Sequence, residues 1–153
     1  MIYSTDPIRV KLYVKAYLEN QFEKEGNCIV IPVRHEIMRL LSVLVSSKRK
    51  LRDYRLQKEM YADDVKIKLS SFFYTTYGYC LTHTNMVIFQ TYLEEKVKQR
   101  VIDYADALMH SHTVVERKKA ITMALQHFGL DEENMPIQSI IKADYRHRVA
   151  AKR

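Results

Sequence analysis

The sequence predicts a mainly α-helical fold of five or six helices with one minor two-stranded β element, at about residues 28–31 and 65–70. Only three Gly and three Pro occur in 153 residues, which favours long regular elements over a loop-rich β-sandwich. Several segments repeat apolar residues at i, i+3, i+4 and i+7, the spacing of one helix face. Residues 65–70 instead alternate apolar and polar side chains, which is the period of a half-buried strand.

The first helix is predicted to begin at Asp6-Pro7, because Asp suits the N-cap and Pro suits the first helical position. Its buried face would comprise Val10, Tyr13, Val14, Tyr17 and Leu18. Gly26 provides a stop for this helix. The β-branched run at 28–31 ends at Pro32 and predicts a short strand.

The middle of the chain adds two helices and the second strand. A helix is predicted at about 33–47, with its apolar face formed by Ile37, Leu40, Leu41, Leu44 and Val45. The strand at 65–70 is available to pair with 28–31, although two strands alone would be marginally stable. The aromatic-rich segment 71–79 predicts a short helix that Gly78 stops.

The longest predicted helix runs from about Thr84 to His110. Its buried stripe would consist of Met86, Phe89, Leu93, Val97, Val101, Tyr104 and Leu108. We expect residues 1–110 to form a helical core that carries the small β element. Residues 111–153 would form a C-terminal helical hairpin, and the two parts together one compact unit.

The hairpin consists of two predicted helices. The first covers 113–128, where Thr113 and Glu116 have capping-box spacing, and it should end at Gly129. The second begins at Pro136 and runs to about residue 150.

Positive charge is concentrated in two segments of this sequence. Residues 48–58 carry six cations and one acid, and residues 142–153 carry five cations and one acid. The net charge of the whole chain is +7, so the remaining residues sum to a slightly negative value. Local positive charge of this kind indicates a surface for an anionic partner.

This charge distribution leads to the functional hypothesis of a non-enzymatic DNA-binding protein. Lysine and arginine side chains placed on phosphates release condensed counterions, which gives affinity without sequence information. A transcriptional regulator and a mobile-element or phage accessory factor both fit the hypothesis. The predicted nucleic-acid-binding residues are Lys48, Arg49, Lys50, Arg52, Arg55, Lys58, Ser139, Lys142, Arg146, Arg148, Lys152 and Arg153.

The C-terminal hairpin is helix-turn-helix-like in outline. On the last helix Ser139, Lys142, Arg146 and Arg153 share one stripe, while Ile137, Ile141 and Tyr145 lie opposite and Arg148 projects nearer the apolar side. Two features depart from the usual motif. Leu125 stands where a small residue is usual, and the turn is long and contains the acidic run 131–133. An ordinary αα-hairpin with a basic tail therefore stays open.

The main alternative is a protein-protein interaction or assembly module in which the basic segments are solvated. Tyr74, Tyr77 and Tyr79 could stack on bases, but neighbouring Phe residues favour a core role. Two short pairs, Cys80 with His83 and His110 with His112, lack the four-ligand spacing of a zinc site.

No catalytic motif occurs either, so no enzyme activity, metal or other cofactor is predicted. An enzyme acting on nucleic acid stays open as a third class of function, and it would need a cleft with clustered carboxylates or a metal. The adjacent carboxylates Asp63-Asp64 and Glu94-Glu95 would point about 100° apart on a helix.

The remaining expectations concern location and assembly. Two Cys in a chain with an adequate core indicate buried thiols in a reducing cytoplasm rather than a disulfide framework. No stretch is long and apolar enough for a membrane span, so no membrane partner is expected. A homodimer through the helix at 84–110 would double the contacts with DNA. RNA and an acidic protein surface stay open as alternative partners.

Overall fold

The longest strand of the first half of the chain organises a five-stranded sheet. The computed structural model describes residues 2–47, 63–112, 116–131, 135 and 137–152. In it β6 (Asp63–Leu69) pairs antiparallel with β1 (Tyr3–Ser4) near its end and with β2 (Ile8–Val10) at its start. It also pairs in parallel with β4 (Cys28–Val30), which pairs antiparallel with β3 (Glu23–Glu25).

The strand pair predicted from the sequence lies at the centre of this sheet. Val65, Ile67 and Leu69 are buried, as their alternation predicted. Cys28 lies opposite Lys66 and Ile29 opposite Ile67, which confirms the pairing of the two segments. The expected size of the sheet was too small, because three further strands join this pair.

The predicted start of the first helix is wrong. Residues Ile8–Val10 form β2, and α1 begins only at Leu12 and ends at Gln21. The backbone before β2 is hydrogen-bonded to the sheet and cannot begin a helix there. The Thr5 amide donates to the Ile67 carbonyl at 3.0 Å, and the Ile67 amide donates to the Thr5 hydroxyl at 3.0 Å. The predicted helix face is otherwise confirmed, because Tyr13, Val14, Tyr17 and Leu18 are buried.

The second helix is shorter than predicted because its ends are set by local contacts. It is α2 (Glu36–Leu44), and the imidazole Nδ1 of His35 accepts a hydrogen bond from the Ile37 amide at 3.2 Å. The chain then enters β5 (Val45–Ser46), which pairs antiparallel with β7 (Cys80–Leu81).

The aromatic-rich segment forms the short helix that was predicted. It is α3 (Ser71–Thr76), and the Ser70 hydroxyl caps it by accepting from the Phe73 amide at 3.1 Å. Gly78 follows with a φ of +107°, a conformation that L side chains rarely adopt.

Three longer helices complete the chain: α4 (His83–His110), α5 (Arg117–His127) and α6 (Ile137–Ala151). The six helices of the described residues agree with the predicted number. Gly129 has a φ of +70° just after α5, as expected of a helix stop. The predicted capping box is wrong, because Glu116 is the N-cap of α5, makes no side-chain cap and precedes the first helical residue, Arg117. Its other member, Thr113, lies outside the described residues.

The contacts of the chain fall into two compact units, Met1–Glu94 and Glu95–Arg153, which divide within α4. The first unit contains the sheet, and its most buried side chains include Phe89 and Leu93 of α4. The second unit has its own core, formed by Val97, Val101, Ile102, Ala105, Ala120, Ile121, Ala124, Leu125, Phe128, Leu130, Met135 and Ile140. None of the helices in the described ranges has the length and hydropathy needed to cross a bilayer.

Candidate functional site

The second unit contains a cleft of about 410 Å³ between α4 and α6. Each helix contributes one stripe of residues at a spacing of three or four, so both stripes face the same space. The lining residues are Glu95, Lys98, Gln99 and Ile102 of α4 and Ser139, Lys142, Ala143, Arg146 and His147 of α6. Three of the residues predicted to bind nucleic acid, Ser139, Lys142 and Arg146, therefore come together in one concave site.

The walls of the cleft are positively charged. Lys98, Lys142 and Arg146 supply three cations, and Glu95 supplies one carboxylate. Lys98 Nζ lies 3.8 Å from Glu95 Oε1, but the Glu95 side chain is 71% exposed, so water screens this pair. Within the described part of the chain, neither Lys142 nor Arg146 has a carboxylate at ion-pair distance. The cleft thus keeps a net positive charge that an anion can neutralise.

The cleft also has an apolar part and neutral hydrogen-bonding groups. The apolar part is small, because Ala143 is half-buried and Ile102, at the bottom of the cleft, is only 2% exposed. The Gln99 amide can donate and accept, and so can the Ser139 hydroxyl. The site can therefore contact an anion together with an attached uncharged group.

A buried ion pair fixes the orientation of α6. The Asp144 side chain is only 2% exposed, and its Oδ2 accepts a hydrogen bond from Arg117 Nε of α5 at 3.0 Å. Arg117 also pairs with Asp106 of α4, and Arg148 Nε lies 3.4 Å from Asp144 Oδ2. The hydrogen bond from Arg117 is the main cause that lowers the pKa of Asp144 and raises the pKa of Arg117. These contacts join all three helices of the second unit.

The predicted docking face of α6 was partly wrong. Tyr145 was expected on the buried side, but it is 65% exposed, and Ile141 is only half-buried. The helix docks instead through Ile140, which is 0% exposed, and through Asp144. Arg117 compensates the charge of Asp144, so this acid can be buried in the docked face of α6. The prediction considered only apolar residues and therefore placed the neighbouring Tyr145 on that face.

The other predicted binding residues differ in their placement. Arg148 is half-exposed and pairs with Asp144, as a side chain projecting toward the docked face allows. Lys152 is exposed at the end of α6. Seven predicted residues lie outside the described residues: Lys48, Arg49, Lys50, Arg52, Arg55, Lys58 and Arg153.

Sequence reasoning missed the α4 side of the cleft. Lys98 and Gln99 were not among the predicted residues, and neither was His147 of α6. The available signal was the polar spacing of Glu95, Lys98 and Gln99 on the face of α4 away from its apolar stripe. That spacing alone is also typical of a solvated helix face, so it did not distinguish a site.

Three of the carboxylates considered for catalysis, Asp63, Asp64 and Glu94, are engaged in ion pairs in the first unit. Lys15 Nζ lies 2.9 Å from Asp63 Oδ1, and its hydrogen bond is the main cause that lowers the pKa of Asp63. Arg9 Nε lies 3.4 Å from Asp64 Oδ1. Lys11 Nζ lies 3.4 Å from Glu94 Oε1. Among the residues that the structure describes, no cluster of three His, Cys, Asp or Glu side chains could hold a metal ion.

The tyrosines considered for base stacking contact one another. The rings of Tyr74 and Tyr79 are stacked with centroids 4.6 Å apart, and Tyr3 lies 5.0 Å from Tyr74. Tyr77 packs edge-on against the buried Phe73 at 5.0 Å. Tyr74 and Tyr79 therefore use much of their ring surface within the first unit, whereas Tyr77 stays exposed.

The chain was compared with protein-family models, with curated proteins and with solved structures, and none of them matches it.

Proposed function

We propose that this chain is a non-enzymatic DNA-binding protein that contacts backbone phosphates through the cleft between α4 and α6. The observation that supports the proposal is the convergence of Lys98, Lys142 and Arg146 in one concave site. Each cation placed on a phosphate releases condensed counterions, which favours binding at low salt. The basic segment 48–58 and the end of α6 supply further cations for phosphate contacts.

Phosphate contact fits the site better than base reading by α6. A recognition helix must project its polar face into the major groove. Here Lys142 and Arg146 line a concavity together with Lys98 and Gln99 of α4. A cationic concavity matches the ridge of a phosphate backbone, so the proposed binding is largely independent of sequence.

The test is a mobility-shift titration of DNA over a salt series. The double variant K142A/R146A should weaken binding and reduce the slope of log K against log salt by about 1–2, because each phosphate contact contributes about 0.9 to that slope. The control R34A/R39A removes the same charge from exposed positions of the first unit. Equal losses in both variants, or binding that does not respond to salt, would refute the proposal.

A second candidate function, a protein-protein interaction module, is favoured by one observation in the first unit. Phe72 is 67% exposed and Tyr77 is 43% exposed, and their rings lie 6.3 Å apart edge to face. Exposed aromatic pairs of this kind are enriched at protein interfaces. For this function Phe72→Ser should abolish association with a partner protein, while K142A/R146A should leave it unchanged.

We propose further that the protein acts as a homodimer in the cytoplasm. An uncharged stripe on α4, formed by Thr84, Val87, Ile88 and Thr91, is exposed and suits contact with a second copy. Cys28 and Cys80 are buried free thiols, which suits a reducing compartment. Sedimentation velocity over a concentration series tests the dimer.

A further inference from the structure

The cleft between α4 and α6 is lined almost entirely by charged and hydrogen-bonding side chains. Among the described lining residues only Ile102 and Ala143 are apolar, and Ile102 is just 2% exposed. None of these described residues is a Phe, Tyr or Trp on which a base could stack. The group that suits this cleft is therefore compact, hydrophilic and negatively charged.

The charge of the cleft matches a dianion better than a monoanion. Within the described lining Lys98, Lys142 and Arg146 stand against the carboxylate of Glu95, so three cations minus one acid leave a net charge of +2. A phosphate inside a DNA strand carries one negative charge. A phosphate at the end of a strand is a monoester, which carries a charge of about −1.5 to −2 at neutral pH.

Asp144, a buried acid of α6, does not cancel this positive charge. Its side chain is 2% exposed, and its Oδ2 accepts a hydrogen bond from Arg117 Nε at 3.0 Å. Arg148 Nε lies 3.4 Å from the same oxygen. Because Asp144 is compensated on the docked side of the helix, the cations of the cleft stay available to an external anion.

Hydrogen-bond donors come from both walls of the cleft. Lys98 and Gln99 belong to α4, and Ser139, Lys142 and Arg146 follow one another along α6 at a spacing of three or four residues. Each of these side chains can donate a hydrogen bond. A terminal phosphate exposes three acceptor oxygens, whereas an internal phosphate uses a further oxygen to join the next sugar. A phosphate that enters end-on can therefore accept hydrogen bonds from both helices at once.

We infer that the cleft binds the terminal phosphomonoester of a DNA strand and prefers it to an internal phosphodiester. The phosphate lies between Lys98 of α4 and the Lys142 and Arg146 side chains of α6. The Gln99 amide and the Ser139 hydroxyl donate to its remaining acceptor positions. This inference rests on the proposed DNA-binding function and names the part of the DNA that occupies the cleft.

The test is a fluorescence-anisotropy titration of four labelled single strands. Three share one sequence and differ in their ends, which carry only hydroxyls, a 5′-phosphate or a 3′-phosphate. The fourth has hydroxyl ends and is longer by about two nucleotides, so it carries the charge of a terminal phosphate as internal diesters. We expect at least one phosphorylated strand to bind about tenfold more tightly than both hydroxyl-ended strands, since it accepts an additional charge-assisted hydrogen bond. Phosphorylated strands that bind no more tightly than the longer hydroxyl-ended strand would overturn the inference.

Competition distinguishes a strand end from a free phosphomonoester, which has the same chemistry. Thymidine 5′-monophosphate is titrated against the complex with the phosphorylated strand. It should displace the strand only at a concentration about a hundredfold above that of unlabelled phosphorylated strand, because it has no internal phosphates to contact further cations. Displacement at the same concentration would show that the site takes a free phosphomonoester, and the assignment to a DNA end would be wrong.

A single substitution in the α4 wall provides the matched comparison. Lys98→Gln removes a cation and keeps a polar side chain that favours helix. Lys118→Gln makes the same change at an exposed position of α5 that does not line the cleft. Lys98→Gln should reduce the preference for the phosphorylated strand to about threefold or less, and Lys118→Gln should keep it. An undiminished preference in a folded Lys98→Gln variant would contradict the inference, and the wild-type comparison decides the matter if that variant does not fold.

The two proposals fail in different ways. If K142A/R146A weakens binding to all four strands but the wild type does not distinguish phosphorylated from hydroxyl ends, the phosphate-binding function stands and the preference for a strand end is refuted. If K142A/R146A binds all four strands like the wild type, both proposals are refuted.

Discussion

Arg117 of α5 donates a hydrogen bond from Nε to Oδ2 of the buried Asp144 of α6, over 3.0 Å. Arg117 also pairs with Asp106, so one guanidinium connects α5 to both α4 and α6. Asp144 immediately follows Ala143, which lines the cleft. The ion pair therefore stabilises the second unit and also fixes the rotation of the helix that supplies Lys142 and Arg146.

Replacing Asp144 should destabilise the second unit strongly. We expect Asp144→Asn to lower the free energy of unfolding by about 3 kcal/mol at neutral pH, because loss of one partner leaves a largely buried arginine incompletely compensated. Asp106→Asn is the control, since the Asp106 side chain is half-exposed and its loss should cost less than about 1 kcal/mol. Urea unfolding followed by circular dichroism measures both, and equal effects would contradict the assignment.

The same pair predicts a specific acid sensitivity. The hydrogen bond from Arg117 lowers the pKa of Asp144 in the folded state below its ordinary value of 3.8. The ionised carboxylate therefore stabilises the fold at pH values above about 4, and this contribution is lost as pH falls through the lowered pKa. The stability difference between the wild type and Asp144→Asn should be constant from neutral pH to about pH 5 and should shrink below about pH 4. A difference that does not change with pH would exclude this role for the carboxylate.

The parts of the fold that were predictable are those with a strong local pattern. The alternation at 65–70 gives a buried side chain at each apolar position, and the middle of the predicted α4 stripe is buried at Phe89, Leu93, Val97 and Val101. β3 could not be found in this way, because all three residues of Glu23–Glu25 are exposed and none is apolar. β2 was hidden because Val10 also fits the helical spacing of the residues that follow it. Only pairing with β6, distant in sequence, decides its state.

Only the α6 side of the cleft could be predicted, because only that side shows a local sequence pattern. Lys142 and Arg146 share one stripe of α6, and that stripe can be read from the sequence. Their opposite wall, with Lys98 and Gln99, depends on how α4 packs in the second unit. The burial of Asp144 depends on Arg117, 27 residues earlier in the chain. A pattern of apolar spacing within one helix cannot identify such a distant partner.

Gly78 should be indispensable for the first unit. Its φ is +107°, and a Cβ there would collide with the backbone of Ser46, which accepts a hydrogen bond from the Tyr79 amide at 3.1 Å. Gly78→Ala should therefore separate β5 from β7 and lower the melting temperature sharply. Gly26→Ala is the matched control, because Gly26 has a φ of +62° and open space around it, so the cost should be about 1–2 kcal/mol from backbone strain alone. Comparable melting temperatures for the two variants would contradict the steric argument.

The proposed dimer predicts a sharp response at Ile88. This side chain is 46% exposed within the uncharged stripe on α4, so Ile88→Asp should place a charge in the dimer interface and give a monomer. Val43→Asp changes a 78% exposed residue of α2 and should leave the dimer intact. Sedimentation velocity distinguishes these states, and a wild-type protein that stays monomeric at high concentration would refute the dimer.

The carboxylate of Glu95 should oppose nucleic-acid binding. Among the described residues that line the cleft it is the one acid, and it competes with a phosphate for Lys98, whose Nζ lies 3.8 Å away. Glu95→Gln keeps the shape of the side chain and removes the charge, so affinity for DNA should rise by up to about fivefold, since unit charges about 4 Å apart in water interact by about 1 kcal/mol. Glu116→Gln makes the same change at an exposed residue that does not line the cleft and makes no side-chain cap, so it should alter affinity much less. The gain for Glu95→Gln should also fade as salt is added, because salt screens the exposed carboxylate. A mobility shift at low and high salt checks both effects, and a loss of affinity in Glu95→Gln would mean that the phosphate does not occupy the site beside Lys98.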